Sequence, residues 1–168
     1  MSTEPAYAPE GELLRHALGH FATGVTVITS VGPDGEPIGT TATAVSSLSL
    51  EPALLLVCLE WRSTTLRAIL SHRAFAVNVL AYDQDDLSIN FARRGEAATW
   101  AGVLHDRWPS GDPRLDGTLA GLDCTLVNVL TGGDHEIVVG RVRDACTHPA
   151  APRPLLHWRG QYANLEHR

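Results

Sequence analysis

The chain contains no lysine: all 13 of its Lys or Arg positions are arginine. This removes a P-loop lysine, a Schiff-base lysine and a lysine nucleophile together. Any phosphate must therefore be held by arginine, hydroxyls or backbone N–H groups. Positive charge is scarce as a whole. The formal charge is −6, which argues against nucleic acid as a partner, because that needs a basic footprint. Cysteine is scarce too. Cys58, Cys124 and Cys146 are odd in number, far apart and without a CxxC, which excludes a disulfide framework or a zinc ribbon. Cys58 and Cys124 sit in apolar runs and read as small buried hydrophobes. No apolar run approaches the length of a membrane span. The opening MSTEPAYAPEGE lacks the basic and apolar regions of a signal peptide, so the expected location is the cytoplasm.

Several catalytic signatures are missing as well. No GxGxxG follows the first strand, no GxSxG occurs and no HExxH occurs. Rossmann dinucleotide binding, a nucleophile elbow and zincin chemistry are all disfavoured. His16 and His20 have the i,i+4 spacing of helix-borne ligands, but no third ligand is evident, and no metal site is expected.

What remains is an ordinary globular composition, 44% hydrophobic over 168 residues, enough for one domain with its own core. Residues 1–10, with Pro5 and Pro9, read as a flexible arm, and 11–168 as the folded domain. Leu13, Leu14, Ala17, Leu18 and Phe21 mark one apolar helix face, with Gly24 as its C-cap. VTVITSV (25–31) is strand-like, the turn formers of 32–37 follow, and a hairpin is expected across 25–45. ALLLVCLE (53–60) reads as a buried strand. Ser63 caps a helix over 64–71 that turns Leu66, Ile69 and Leu70 to the core. AFAVNVL (74–80) is a strand. Asp83 caps a helix to about residue 92, with Leu87 and Phe91 on one face. Residues 94–117 form a long excursion, 122–130 and 135–146 are strands about a Gly132–Gly133 turn, and 154–160 is the last strand. Strands outnumber the short helices and the turns are of hairpin type. The fold class is therefore mainly β with short helices, an antiparallel barrel, closed or partly open.

Three segments could carry chemistry. GTTATAVSSLSLEP (39–52) spends many strand positions on Thr, Ser and Ala. Such residues allow close backbone approach beside many short donors and acceptors, which suits a flat polar heterocycle. A solvated edge strand would have the same composition. WRSTTLRAIL (61–70) places Arg62, Ser63, Thr64 and Thr65 at a helix N-terminus, where an anion is favoured, although Ser63 also serves as a plain cap. GGDHEIVVGRV (132–142) sets Asp134 and His135 at the mouth of a strand, and His135 is either a hydrogen-bonding group of the site or an exposed turn residue.

In this order the segments resemble the flavin reductase-like family, with its FMN-binding split β-barrel of Greek-key type. The resemblance runs from HFATGVTVIT (20–29) through GTTATAVSSLSLEPALLLVCL (39–59), RSTTLRAI (62–69), FAVNVL (75–80) and GGDHEIVVGRV (132–142) to PLLHWRGQY (154–162). It implies the small reductase component of a two-component flavin-dependent monooxygenase. FMN or FAD would be reduced by NADH or NADPH, and the reduced flavin delivered to an oxygenase partner. It also implies a homodimer with the flavin near the subunit interface.

By the same resemblance, Thr41, Ala42, Thr43 and Ala44 border the isoalloxazine, and Ser46 and Ser47 reach the ribityl chain or phosphate. Arg62, Ser63 and Thr64 sit near the phosphate, and Phe91, Ala92 and Arg93 add a flavin contact. Gly133, Asp134 and His135 match the GDH motif on the nicotinamide side, which Arg159 and Tyr162 close. Many relatives carry Asn and Ser where this chain has Thr43 and Ala44. His135 is the candidate catalytic group, positioning the nicotinamide or donating a hydrogen bond near the reacting edge. The competing readings are a non-catalytic flavin carrier or redox sensor, an oxidase of the pyridoxamine-phosphate group, which would want a basic substrate-phosphate site, and a plain structural barrel.

Overall fold

The computed structural model describes residues 11–93, 98–150 and 153–165. The expected arm at 1–10 lies outside the described residues, as does 94–97 of the long excursion. The chain runs α1 (Gly11–Gly19), β1 (Thr23–Gly24), β2 (Thr26–Val31), β3 (Pro37–Ala42), β4 (Val45–Leu50), β5 (Ala53–Glu60), α2 (Thr64–His72) and β6 (Ala74–Val79). It continues through α3 (Asp85–Phe91), β7 (His105–Arg107), β8 (Pro113–Leu115), β9 (Ala120–Gly132), β10 (His135–Thr147), β11 (Leu156–Trp158) and β12 (Gln161–Ala163).

Seven strands form one sheet in the order β3-β2-β6-β9-β10-β5-β4, with every pair antiparallel. β6, β9 and β10 are successive neighbours, and β5, which precedes β6 in the chain, lies on the far side of β10, the strand order of a Greek key. β3 and β4 stand at opposite ends of this order, yet only Thr43 and Ala44 separate them in the chain. Laid flat, six strand spacings would hold them about 29 Å apart. The chain from Ala42 to Val45 reaches no more than about 11 Å. The sheet must therefore roll until its two edges meet at Thr43–Ala44. No ladder joins β3 to β4 among the described residues, so the roll stays split along that seam.

Strand periodicity explains the two cores. β2 is buried on both faces. Ile28 joins Phe75, Val77, Leu126, Val138, Val57, Leu66 and Ile69 inside the rolled sheet. Its neighbour Val27 points the other way, into a second cluster with Leu80, Phe91, Leu115 and Leu155. Outside the roll, β1, β11 and β12 make a small sheet and β7 pairs with β8.

Four expectations need correction. α1 ends at Gly19, closed by the tight His20 N–H to Ala17 carbonyl bond of 3.1 Å. Gly24 is no cap, because pairing with Leu156 draws it into β1. Leu70 is 43% exposed: the buried stripe of α2 is Thr65, Leu66, Ala68 and Ile69, and Leu70 turns off its edge. α3 is preceded by Gln84 rather than capped by Asp83. The Gln84 side chain serves Ala81 N–H at 2.9 Å and the Asp116 carbonyl at 2.9 Å, which fixes where the helix begins. Finally, the strand at 154–160 is not the last, since β12 follows and pairs with β11.

Candidate functional site

The seam of the roll gathers most of the residues singled out by sequence. At Thr43–Ala44 the chain crosses from β3 to β4, and both residues are exposed. The crossing is anchored on either side. Ala42 is buried and its carbonyl accepts the Thr26 hydroxyl at 2.6 Å. The Ala44 carbonyl accepts Cys58 N–H at 2.9 Å. Ser46 and Ser47 follow on edge strand β4, exposed, opposite Leu56 and Leu55 of β5. Of this hydroxyl-rich stretch, then, Ala42 is core, while Thr43, Ala44, Ser46 and Ser47 form an open wall of short side chains and backbone.

β5 leads from that wall to the next group. Its end pairs with the start of β10, with Glu60 opposite His135, and Trp61 N–H donates to the Asp134 carbonyl at 3.2 Å. The Gly133–Asp134–His135 turn is therefore tied to the Trp61–Arg62–Ser63 turn, although 72 positions separate Arg62 from Asp134. Gly133 has φ +74, a left-handed conformation that glycine adopts without strain. Ser63 caps α2 as expected, its Oγ accepting Leu66 N–H at 3.4 Å. The helix thus presents its first-turn N–H groups and the positive end of its dipole beside Arg62. The Arg62 guanidinium lies 4.5 Å over the Trp61 ring, which restrains it near that helix start. Thr65 Oγ1, in the same first turn, is buried without a hydrogen-bond partner among the described residues.

His135 has a defined orientation. Its Nδ1 lies 2.7 Å from Asp134 Oδ1. A carboxylate only accepts, so Nδ1 carries the proton and Nε2 remains as the ring's other polar atom. The hydrogen bond from His135, reinforced by its charge, holds the Asp134 carboxyl below the ordinary range.

The third group lies on the β3 side. The Thr41 hydroxyl donates to the Ser88 carbonyl at 2.7 Å, and the Ser88 hydroxyl lies 2.9 Å from Tyr162 OH. Thr41 and Tyr162, distant in sequence, thus meet through α3. Phe91 is buried, its ring edge-on to Trp100 at 5.0 Å, so that ring is core, while Ala92 and Arg93 are exposed just beyond it. Arg159 lies in the turn between β11 and β12, three positions before Tyr162. Its N–H donates to the Gly19 carbonyl at 2.8 Å, and with Glu12, Arg15, His16, His20 and Gly160 it lines a cleft of about 400 Å³ against α1. Sequence reasoning missed Ser88. Its signal was a polar residue three positions from Phe91, on the buried side of α3.

The geometry defines a class of fold, a rolled and split antiparallel sheet, and comparison with known proteins supplies the family. The chain belongs to the flavin reductase-like family: residues 18–166 match the flavin reductase like domain. It is 43% identical over 155 residues to the reductase subunit HsaB of a flavin-dependent monooxygenase from Mycobacterium tuberculosis, covering 90% of this chain and 81% of that protein. It is 38% identical over 159 residues to a flavin reductase (NADH) of Kitasatospora aureofaciens, covering 92% of this chain and 81% of that protein. Among solved structures it is similar to nitrilotriacetate monooxygenase component B from Mycobacterium thermoresistibile, with TM-score 0.88, 40% identity and coverage of 92% of this chain and 86% of that one. It is also similar to the NADH:FAD oxidoreductase SgcE6 of Streptomyces globisporus C-1027 in complex with NAD and FAD fragments. There the TM-score is 0.87, the identity 32% and the coverage 97% of this chain and 98% of that one. The split-barrel fold and the family expected from the motifs are borne out.

Proposed function

We infer that this chain is an NAD(P)H:flavin oxidoreductase that reduces FMN or FAD and supplies the reduced flavin to a partner monooxygenase. The observation that carries the reading is the tie between the Gly133–His135 turn and the Arg62–Thr64 helix start, on the rim that continues into the open Thr43–Ser47 wall. The donor set fits a phosphate-bearing flavin. The wall offers short hydroxyls and backbone to a flat ring, and the lysine-free α2 start offers N–H groups, hydroxyls and one arginine to its phosphate.

A flavin held there would supply the two-electron chemistry, with reduced nicotinamide as the hydride donor. The protein's part is binding and orientation. Thr41, Thr43 and Ala44 border the ring, and Ser46 and Ser47 reach along its ribityl chain. Arg62, Ser63 and Thr64 hold the phosphate, with Ala92 and Arg93 beside the flavin. Asp134 fixes the imidazole of His135 so that Nε2 can hydrogen-bond the nicotinamide. Tyr162 closes the nicotinamide side.

We take residues 11–168 as one domain, supported by the family match over nearly all of it, and the compartment as the cytoplasm. Three free cysteines accord with a reducing environment. We also propose a homodimer through α1. None of its residues is buried, and Leu13, Leu14 and Leu18 are 58%, 48% and 62% exposed, with Phe21 just beyond at 74%. An apolar face of this kind asks for a cover, and a second copy of the chain is the cover the family resemblance suggests. Sedimentation as a monomer at micromolar concentration would remove the dimer.

The reductase reading is tested by anaerobic titration of the purified protein with NADH and NADPH, in the presence of FMN and then FAD, followed at the flavin absorbance band. Catalysed bleaching, one flavin reduced for each donor oxidised until the flavin is consumed, is expected with one donor. Tight flavin without turnover would instead make the protein a carrier. His135→Ala should raise the nicotinamide KM by about tenfold, the scale of one or two lost hydrogen bonds, while changing flavin affinity far less. An unchanged KM and kcat would take His135 out of the mechanism.

A further inference from the structure

We propose that Ser88 is a positioning residue of the reductase site. Its hydroxyl holds Tyr162 of the C-terminal hairpin while its carbonyl holds Thr41 of β3, and through Tyr162 it sets the affinity for the nicotinamide. The proposal rests on the reductase reading above and adds a residue to it.

Ser88 is completely buried in α3 and is engaged through two different atoms. In a regular helix its carbonyl would accept Ala92 N–H. Instead Ala92 N–H turns to the Ile89 carbonyl at 3.2 Å, tightening the last turn and leaving the Ser88 carbonyl free. The Thr41 hydroxyl fills that vacancy at 2.7 Å. The Ser88 hydroxyl is then available to Tyr162 OH at 2.9 Å. A serine hydroxyl inside a helix commonly bonds back to its own backbone or points to solvent. Here it bridges to a segment 74 positions away.

Tyr162 needs such a tether. β12 is the edge of the three-stranded sheet and, among the described residues, pairs with β11 alone. The anchors of the hairpin lie elsewhere: β11 pairs with β1, Trp158 Nε1 donates to the His20 carbonyl at 3.3 Å and Arg159 N–H to the Gly19 carbonyl. The Tyr162 ring is met edge-on by His157 at 6.1 Å and held at its tip by Ser88, and the residue remains partly exposed. A flat aromatic face held at its edge by His157 and at its tip by Ser88 is pre-organised to meet a second flat ring. Freed of Ser88, it would have to be ordered again at each binding event, at a cost in affinity.

The test uses the full chain. Ser88→Ala should raise the nicotinamide KM about fivefold, the size of one net hydrogen bond, with kcat and the flavin dissociation constant each within about twofold of the wild type. Tyr162→Phe, which keeps the ring and removes only the hydroxyl, should give the same KM. The double variant should be no worse than either single, because both remove one bond. If Ser88→Ala does not fold, Tyr162→Phe alone decides, since it alters only the exposed edge of the hairpin. An unchanged KM in Tyr162→Phe, additive effects in the double variant, or a lower thermal midpoint with wild-type kinetics would each overturn the positioning role. Those outcomes presuppose turnover by the wild type; its absence would overturn the reductase reading first, and this inference with it.

Discussion

Gly140→Val should lower the thermal midpoint by about 6–12 °C, the shift that corresponds to roughly 3 kcal/mol in a domain of this size. The reason is space, not backbone conformation. A Cβ at Gly140 would stand 2.5 Å from Phe75 Cζ, 2.8 Å from Phe75 Cε1 and 3.1 Å from Cys124 Cβ. Cys124 Cβ is fixed to its own backbone and can move only with β9. The Phe75 ring has no room to move aside, because Phe75 is fully buried in the main core. β10 is held from both sides as well, Gly140 lying opposite Leu55 on β5 and Leu126 on β9. Replacing glycine reduces the freedom of the unfolded chain and returns about 0.4–1 kcal/mol where the native geometry tolerates the new residue. Overpacking a tight core typically costs about 1–3 kcal/mol, and a branched side chain at this spacing lies at or beyond the upper end. The cost wins. Gly140→Ala should fall between the wild type and the valine variant. A valine variant melting within about 2 °C of the wild type would show that Phe75 has room the structure does not reveal.

Gly140 also illustrates how far the sequence could be read. Its segment GGDHEIVVGRV was legible as a glycine turn leading into a β-branched strand, and the strand stands where the pattern placed it, but the turn lies one residue later, at Gly133–Asp134, because Gly132 pairs with His135 and closes β9. What could not be read is that Gly140 exists for Phe75, which lies 65 positions earlier. The same division holds at the site. The Ser63 cap and the hydroxyl-rich stretch were visible because capping and composition are local properties. The seam was not, because it follows from β3 and β4 taking opposite edges of one sheet, which only the full pairing order reveals. α3 started one residue later than its best local cap, since Gln84 is committed to the Asp116 carbonyl across the fold. β12 has no strand signature of its own and exists because β11 turns back on it. Ser88 was passed over since both its long-range partners, Thr41 and Tyr162, are supplied by other parts of the chain.

Asp112→Asn should stabilise the protein at pH 7.5 and leave it nearly unchanged at pH 4. Asp112 sits in the turn between β7 and β8, fully buried. Neither of its carboxyl oxygens has a hydrogen-bond partner among the described residues. His72 at the end of α2 is the nearest cation-capable group, its Nε2 3.5 Å from Asp112 Oδ1. That nitrogen is also 3.1 Å from the Ser110 carbonyl. Asp123 of β9, itself buried, faces the same cluster and takes the Ser110 hydroxyl at 2.7 Å. Ser30 of β2 stands nearby, with its hydroxyl on the Ala74 carbonyl. Burial is the dominant influence on Asp112, Ser110 and His72 pull the other way, Asp123 adds repulsion, and the carboxyl is pushed up from 3.8 to about 6.

The sign follows from proton binding. Between those two values the folded chain holds a proton that the unfolded chain has released, so stability falls as pH rises through the window. Above it the ionised carboxylate costs the fold on the order of 2–3 kcal/mol, at about 1.4 kcal/mol per pKa unit. Asparagine is close in shape and never ionises, so it avoids that cost at pH 7.5, giving a rise in midpoint of about 4–12 °C. At pH 4, where Asp112 is already neutral in the folded chain, the two proteins should melt together. A loss of stability at pH 7.5 would mean instead that attraction between an ionised Asp112 and a protonated His72 outweighs desolvation. An equal gain at both pH values would mean that packing, and not charge, distinguishes the variant.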